Sequence, residues 1–205
     1  MDTNFLWRGL IIGFSIAAPV GPIGVLCIRR TLAEGRTSGL VAGLGAATAD
    51  ALYGVVAGFG LTAISDLLVS QQALLRLLGG GFLCYLGVKT FFARPAEQAA
   101  VVKVGSLLTS YLTTLFLTLT NPMTILSFVA VFAGLGLGGD ASGYAASGLL
   151  VSGVFVGSAL WWLLLCIAVG WFSDRVDPPK LRWVNRISGL VIAGFGLLAL
   201  FSLKK

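Results

Sequence analysis

The chain has 205 residues, of which 57% are hydrophobic and 11% are charged, and its mean hydropathy is +0.96. Soluble domains carry about 25% charged residues, so this composition excludes a soluble globular protein and indicates an integral membrane protein. The net charge of +6 would suggest a nucleic-acid partner for a soluble protein. Here its distribution over alternating loops explains it better, so a lipid bilayer is expected and nucleic acid is not.

Charged residues divide the chain into six apolar segments, each near the length of about 20 residues that a bilayer span needs. The first three lie at about Phe5 to Ile28, between Arg36 and Asp66, and at about Gln71 to Phe92. The last three lie between Lys103 and Asp140, between Asp140 and Asp174, and from Arg186 to Leu203. No connecting stretch is long enough for a soluble domain, so we expect one all-α transmembrane domain over residues 1–205.

Proline interrupts the first and the fourth segments near their middles. The first break is Ala18-Pro19-Val20-Gly21-Pro22-Ile23-Gly24, and the second is Thr120-Asn121-Pro122-Met123-Thr124. A proline inside a helix removes a backbone donor, and in lipid the freed carbonyls need protein or a water-filled cavity to satisfy them. Paired breaks in two halves of a chain are typical of a transporter with its binding site at the bilayer midplane.

The first break predicts an opened backbone that can bind an anion. Pro19 and Pro22 lack amide protons, while Gly21 and Gly24 permit unusual backbone angles. A half-helix that begins near Pro22 would point unpaired amides and the positive end of its dipole at the cavity. A substrate carboxylate fits such a site.

The second break predicts a capped half-helix. Asn121 is a good N-cap residue, and Pro122 directly after it suits the first helical position. Thr118 and Thr120 would add hydroxyl contacts beside the amide of Asn121. For either break alone a simple kink is the alternative.

Asp50 is the only acidic residue deep inside a segment. A carboxylate at a helix centre costs about 2.5 to 3.5 kcal/mol on insertion scales, so we expect it to face a cavity or a partner. Ala46, Gly54 and Gly58 share its helix face, and this stripe of small residues indicates an interior position. Asp50 is interpreted as a counter-ion for a cationic amine or as a proton carrier; a structural hydrogen bond to a broken helix is the alternative.

Three polar or aromatic residues fall in the middle of the fifth segment: Ser158, Trp161 and Trp162. Tryptophan usually gathers at the membrane interface instead. One of these three residues is therefore expected to line the pathway, and Ser158 is taken as a candidate substrate contact.

Several kinds of chemistry are not expected. The chain has no histidine, so no Ser-His-Asp or Cys-His nucleophile can form, and the segments hold no pair of carboxylates. We therefore expect neither an enzyme nor a cofactor. A metal site is not expected either, because hard cations want several oxygen ligands. Cys27, Cys84 and Cys166 form no Cys-x-x-Cys pair and are interpreted as small buried residues.

Two halves of the chain resemble each other. At an offset of 110, residues 76–79 match 186–189 and residues 47–49 match 157–159. The two proline breaks match at a smaller offset, near 103. The residues that account for the difference would lie in the loop from Gly134 to Gly148. Repeat 1 would cover about 5–92 and repeat 2 about 107–203. Because each half has three spans, the repeats are expected to be inverted, with helices 1 and 4 broken by proline. Six unrelated helices are the alternative.

Basic residues are distributed unevenly between the two sides. With six spans, ten of the fourteen lysines and arginines fall on one side and four on the other. The positive-inside rule then places both termini outside the cell. The start Met1-Asp2-Thr3-Asn4 has no cationic region, so a cleaved signal peptide is not expected.

Glycine pairs at four-residue spacing allow helices to pack closely. Examples are Gly39 with Gly43, Gly54 with Gly58, and Gly153 with Gly157. Most are interpreted as packing inside the chain. Some could form the face of a homodimer.

Two stretches carry a resemblance to a known family. Ala18-Pro19-Val20-Gly21-Pro22, then residues 29–40 and 45–50, resemble the N-terminal signature of the lysine exporter (LysE/RhtB) family of bacterial amino-acid efflux proteins. Residues 119–126 resemble its second motif, Asn-Pro-Lys followed by small and apolar residues. The resemblance implies a transport core that contains Pro19, Gly21, Pro22, Asp50, Asn121 and Pro122. Met123 departs from the pattern, since the family commonly has lysine there.

These observations together predict an exporter of amino acids or related small metabolites in the bacterial inner membrane. It would work by alternating access, with Asp50 holding the amine or a proton. Three alternatives stay open: an exporter of divalent metals or other ions from the same wider superfamily, a thiol-disulfide electron carrier, and a non-transporting assembly subunit.

Overall fold

A computed structural model describes residues 4–19, 21–59, 70–92, 104–135, 143–173 and 178–202. Within these ranges the regular structure is helical. Eight helices are described: α1 Asn4–Ala17, α2 Pro22–Glu34, α3 Arg36–Gly58, α4 Gln72–Phe91, α5 Val104–Leu119, α6 Pro122–Leu135, α7 Gly143–Ser173 and α8 Pro178–Phe201. Asp66, Lys103, Asp140, Asp174 and the middle of the loop from Gly134 to Gly148 lie outside the described residues.

Four of these helices are long and apolar enough to cross a bilayer: α3, α4, α7 and α8. The remaining four form two bent pairs, α1 with α2 at 81° and α5 with α6 at 60°. If each bent pair counts as one span, the described residues contain up to six spans. The chain is therefore an all-helical, multi-pass membrane protein with four to six candidate spans.

The two bends occur at the prolines that the sequence indicates. The amide of Ala18 makes the last bond of α1, to the carbonyl of Phe14, and the amide of Val25 makes the first bond of α2, to Gly21. Gly21 is extended, with φ −101° and ψ −163°, so the chain changes direction directly before Pro22. The second bend lies between α5, which ends at Leu119, and α6, which starts at Pro122.

One boundary differs from the sequence prediction. The sixth segment was expected to begin after Arg186, but α8 already begins at Pro178. The first turn of a helix tolerates proline because its amides have no partner within the helix. The start of α8 therefore carries charged residues that the apolar pattern excluded from the span.

Glycine lets the helices of the two halves approach closely. A Cβ on Gly13 of α1 would collide with the backbone carbonyl of Val154 in α7, and a Cβ on Gly153 would collide with that of Leu6. On the other side of the molecule, a Cβ on Gly45 of α3 would collide with the carbonyl of Tyr111 in α5. These contacts place α1 against α7 and α3 against α5, each pair running in the same direction.

The glycine pairs noted in the sequence pack inside the chain. Gly39 and Gly43 face Cys166 and Trp162 of α7, Gly54 and Gly58 face the same helix, and Gly153 and Gly157 face α1. These glycines are thus occupied by internal contacts and give no support to a homodimer face.

Candidate functional site

A cavity of about 660 Å³ lies between the two bends. Its wall includes seven of the nine site residues that the sequence predicts: Pro19, Gly21, Pro22, Gly24, Asp50, Thr118 and Asn121. The two others lie next to it. Pro122 starts α6 between Asn121 and Met123, which both line the cavity. Ser158 lies behind the wall and contacts Asp50.

Asp50 is almost fully buried, with 3% of its surface exposed. Its Oδ2 accepts a hydrogen bond of 2.7 Å from the hydroxyl of Ser158 in α7. A Cβ on Gly54 would lie 3.6 Å from the side chain of Val154, so the small-residue stripe below Asp50 packs against α7. The carboxylate therefore lies between α3 and α7 with access to the cavity, away from the lipid-facing surface.

The starts of the two half-helices are capped differently. Asn121 caps α6, because its Oδ1 accepts a bond of 3.1 Å from the amide of Met123. Gly21 has no side chain and cannot cap α2 in this way. The amides of Ile23 and Gly24 precede the first bond of α2, and both residues line the cavity. The first break thus leaves its first amides without a side-chain cap, whereas at the second break Asn121 takes the amide of Met123.

Arg76 is a cavity residue that the sequence analysis counted only in the charge balance. It lines the same cavity as Asp50, and its Nη1 donates to the carbonyl of Ser202 at 3.0 Å. Among the described residues that form the wall, Arg76 is the only cation and Asp50 the only anion. Met123, at the position where the resemblance expects lysine, also lines the cavity and is 67% exposed. A charged residue inside the third apolar segment is the sequence signal that could have identified Arg76.

The structure separates the two central tryptophans. Trp162 lines the cavity and is 5% exposed. Trp161 packs edge-on against Phe14 of α1, with 5.3 Å between the ring centroids. Periodicity alone does not distinguish two neighbours in the middle of a span, because it does not tell which of them faces the cavity.

A polar cluster lies at the end of the helices opposite Arg76. Arg29 donates to Asn185 of α8 at 3.1 Å and pairs with Glu34 at 3.3 Å. Glu34 accepts a bond of 2.7 Å from Ser38, whose hydroxyl also contacts that of Ser110 at 3.1 Å. None of these residues lines the cavity. They connect α2, α3, α5 and α8 at this end, and we call them the Arg29 cluster.

Metal binding has little support in the described part of the chain. There, no group of three or more histidine, cysteine, aspartate or glutamate residues is placed to hold an ion. Asp50 is the only carboxylate in the described cavity wall.

Several of the known proteins that match this chain agree in the type of function that their names describe. The model of the LysE type translocator family matches residues 14–203. A putative amino acid efflux protein, YcgF of Bacillus subtilis, is 28% identical over 94% of this chain and 93% of its own length. The threonine efflux protein of Escherichia coli K12 is 24% identical over 97% of this chain and 98% of its own.

A third relative matches a shorter region. The leucine efflux protein of Salmonella choleraesuis is 28% identical over 62% of this chain and 60% of its own length. No solved structure matches the chain at a significant level. Since the family model covers most of the sequence, the chain belongs to the LysE type translocator family.

Proposed function

We propose that this protein exports amino acids or related small metabolites across the bacterial inner membrane by secondary active transport. The observation that carries the proposal is the cavity that brings both proline breaks and Asp50 together. Relatives named for the efflux of amino acids, threonine and leucine support the substrate class.

The charges of the cavity suit a zwitterion. Asp50 can accept hydrogen bonds from an ammonium group, while the start of α2 offers amide donors and the positive end of a helix dipole to a carboxylate. Arg76 balances the charge of Asp50, so a ligand without net charge leaves the cavity neutral. Much of the wall is apolar, including Ile16, Leu117 and Phe195. Such a cavity favours amino acids with neutral side chains.

The helix packing supports two inverted repeats, α1 to α4 and α5 to α8. If the two sets are exchanged, the contact of α1 with α7 becomes that of α5 with α3, and both contacts are extensive. The contacts of α3 with α7 and of α4 with α8 map onto themselves, and both pairs are antiparallel. A two-fold axis in the membrane plane would produce this pattern.

The position of the cavity supports transport by alternating access. Arg76 and Ser202 lie at one end of it, whereas the Arg29 cluster closes the opposite end of the helices. Transport would open the Arg29 cluster and close the Arg76 end by movement of one repeat against the other.

The described basic residues support an orientation. Arg29, Arg30, Arg36, Arg182 and Arg186 belong to the ends of α2, α3 and α8 that meet at the Arg29 cluster. By the positive-inside rule this end faces the cytoplasm and both termini face outside. The cavity described here would then be open to the outside.

Proton coupling is assigned to Asp50. It is the one acidic side chain in the described wall of the cavity, and the chain has no histidine to carry a proton instead. Proton binding and amine binding would compete for the same carboxylate. That competition is what an exchange of protons for substrate requires.

The proposal is tested by export from a bacterial host that lacks its own exporters. The host is loaded with a panel of amino acids, dipeptides and metal salts, and efflux and growth protection are measured for wild type and for Asp50→Asn. Asp66→Asn, the same chemical change at the boundary of the second apolar segment, is the control. We expect wild type and Asp66→Asn to export amino acids and Asp50→Asn to lose export at normal membrane abundance. Protection against metal salts alone would favour an ion exporter and overturn the proposal.

A further inference from the structure

Resting on the proposed function, we infer that Trp162 recognises the carboxylate of the substrate by donating its indole N–H to a carboxylate oxygen. The site would then prefer α-amino acids with a free carboxylate over amines and amides of the same shape. This role names a side-chain donor for the carboxylate in addition to the backbone amides of α2.

One buried donor in the wall of the cavity has no acceptor. Trp162 is 5% exposed, and its Nε1 has no hydrogen-bond partner among the described residues. Buried polar groups in folded proteins almost always find a partner, and leaving one without a partner costs stability. Trp162 also lines the cavity, and its Nε1 is covered by neighbouring atoms in this state, so a bound ligand can supply the missing acceptor once those atoms move aside.

Trp162 is held in place by its neighbours. A Cβ on Gly43 of α3 would lie 2.5 Å from Cβ and 2.8 Å from Cγ of Trp162, so the base of the side chain rests on bare backbone. A donor whose position is fixed loses little conformational entropy when the ligand binds. The packing of α3 on α7 thus orients the indole before the substrate arrives.

The position of Trp162 relative to Asp50 suits an α-amino acid. Ser158, which binds Asp50, lies one helical turn before Trp162 on α7, and Ala46 lies one turn before Asp50 on α3. A turn of helix rises about 5.4 Å, so Trp162 is offset from Asp50 by about that distance along the helix axis. A ligand can bridge this offset with its ammonium on Asp50 and its carboxylate toward Trp162. Both Ala46 and Trp162 line the cavity.

The hydrogen-bonding chemistry of the indole limits which group of the ligand can bind to Trp162. An indole nitrogen only donates hydrogen bonds, so it cannot bind the ammonium group. The amides of Ile23 and Gly24 at the start of α2 are also donors and also line the cavity. Three donors on residues that line one cavity favour an acceptor with several lone pairs, and a carboxylate provides them.

Trp161 provides a matched control on the same helix. It has the same side chain at the neighbouring position, but it packs on Phe14 of α1. Replacing either tryptophan with phenylalanine keeps an aromatic ring and removes the indole N–H. Only the change at Trp162 should affect recognition of a carboxylate.

The experiment measures binding of leucine and of leucinamide to the purified protein in lipid nanodiscs by calorimetry. Leucine carries a carboxylate where leucinamide carries an amide, and this is the group that would contact Trp162. We expect Trp162→Phe to weaken leucine binding about 10- to 100-fold, the effect of losing a donor to a charged group, and to weaken leucinamide binding less, because its uncharged carbonyl oxygen accepts a weaker hydrogen bond. Trp161→Phe should behave as wild type. Because both ligands are measured on one sample, the ratio of their affinities does not depend on the folded fraction.

Two results would overturn the inference while leaving the proposed function intact. In the first, Trp162→Phe keeps the wild-type preference for leucine over leucinamide, while Asp50→Asn abolishes binding. In the second, Trp162→Phe weakens both ligands equally, which would indicate a packing role. If wild type binds neither leucine nor threonine and exports no amino acid, the proposed function fails and this inference fails with it.

Discussion

The hydroxyl of Ser158 donates a hydrogen bond of 2.7 Å to Oδ2 of Asp50, and it joins α7 to α3 in the centre of the molecule. Ser158 is fully buried and Asp50 is 3% exposed. The two residues belong to different halves of the chain. Any movement of one half against the other therefore changes the surroundings of the only acidic side chain in the described cavity wall.

Ser158→Ala tests whether this bond positions the carboxylate. The substitution keeps the charge of Asp50 but removes a hydrogen bond to it, so the apparent affinity for the exported amino acid should fall about tenfold. Concentration dependence of export measures the effect. Ser152→Ala is the control, because the hydroxyl of Ser152 lies on the same helix but is exposed and bonds only locally, to Gly148. Equal affinity of Ser158→Ala and wild type would remove Ser158 from the site.

Arg76→Gln tests the charge balance of the cavity. Without Arg76 the described wall carries only the negative charge of Asp50, so cationic amino acids should be accepted better. We expect the preference for leucine over lysine to fall about tenfold, measured by competition during export. Arg8→Gln, which changes an exposed arginine of α1 outside the cavity wall, should leave the preference unchanged. A loss of preference in Arg8→Gln as large as in Arg76→Gln would argue for a surface effect instead.

Met123→Lys tests the same charge balance in the opposite direction. It adds a cation to a wall position where the resemblance expects lysine. Export of lysine by wild type should fall further, and in the Arg76→Gln background the preference for leucine should return in part. If the double variant accepts lysine as well as Arg76→Gln alone does, the position of the charge, and not only its presence, decides selectivity.

Gly153→Ala tests the packing of α1 on α7. A Cβ there would collide with the backbone carbonyl of Leu6, and overpacking typically costs about 1 to 3 kcal/mol. Gly148→Ala on the same helix has no atom within 4 Å of the added Cβ and should be neutral or slightly stabilising. Thermal unfolding of the two purified variants compares them. A Gly148→Ala protein that unfolds at a lower temperature than Gly153→Ala would contradict the helix packing described above.

Asn185→Ala tests whether the Arg29 cluster acts as a gate. The change removes the acceptor that ties Arg29 of α2 to α8, so the closed end should open more often. Cys27 and Cys166, which are 0% and 1% exposed, serve as reporters beside the cluster in a Cys84→Ala background. Their rate of modification by a membrane-permeant maleimide should rise severalfold in Asn185→Ala. In Arg186→Gln, an exposed change on the same helix, the rate should stay at the wild-type value.

Much of this architecture is predictable from local sequence rules. Proline removes a donor, and Asn121 accepts a hydrogen bond from the amide of Met123 two residues later, so the two bends follow from residues that are close in sequence. Asp50 stands out because a lone carboxylate in an apolar segment needs a reason to be there. The face that carries Ala46, Gly54 and Gly58 follows from helical periodicity, and the structure packs that face inside the molecule as expected.

Other features depend on contacts between distant segments, which a sequence pattern does not encode. Arg76 enters the cavity because α4 packs antiparallel on α8 and begins beside Ser202. Trp162 lines the cavity and Trp161 does not, because α1 covers the face of α7 that carries Trp161. The start of α8 at Pro178 was missed because charged residues in its first turns lower the local hydropathy.

The central claim is that Asp50 couples substrate to the ion gradient inside the cavity between the two bends. The most direct measurement is uptake of radiolabelled leucine or threonine into proteoliposomes with an acidic lumen, for wild type and Asp50→Asn. Wild type should accumulate the amino acid as protons leave, and dissipating the pH gradient should stop accumulation. Asp50→Asn should not accumulate it. Accumulation by Asp50→Asn at the wild-type rate would contradict the account.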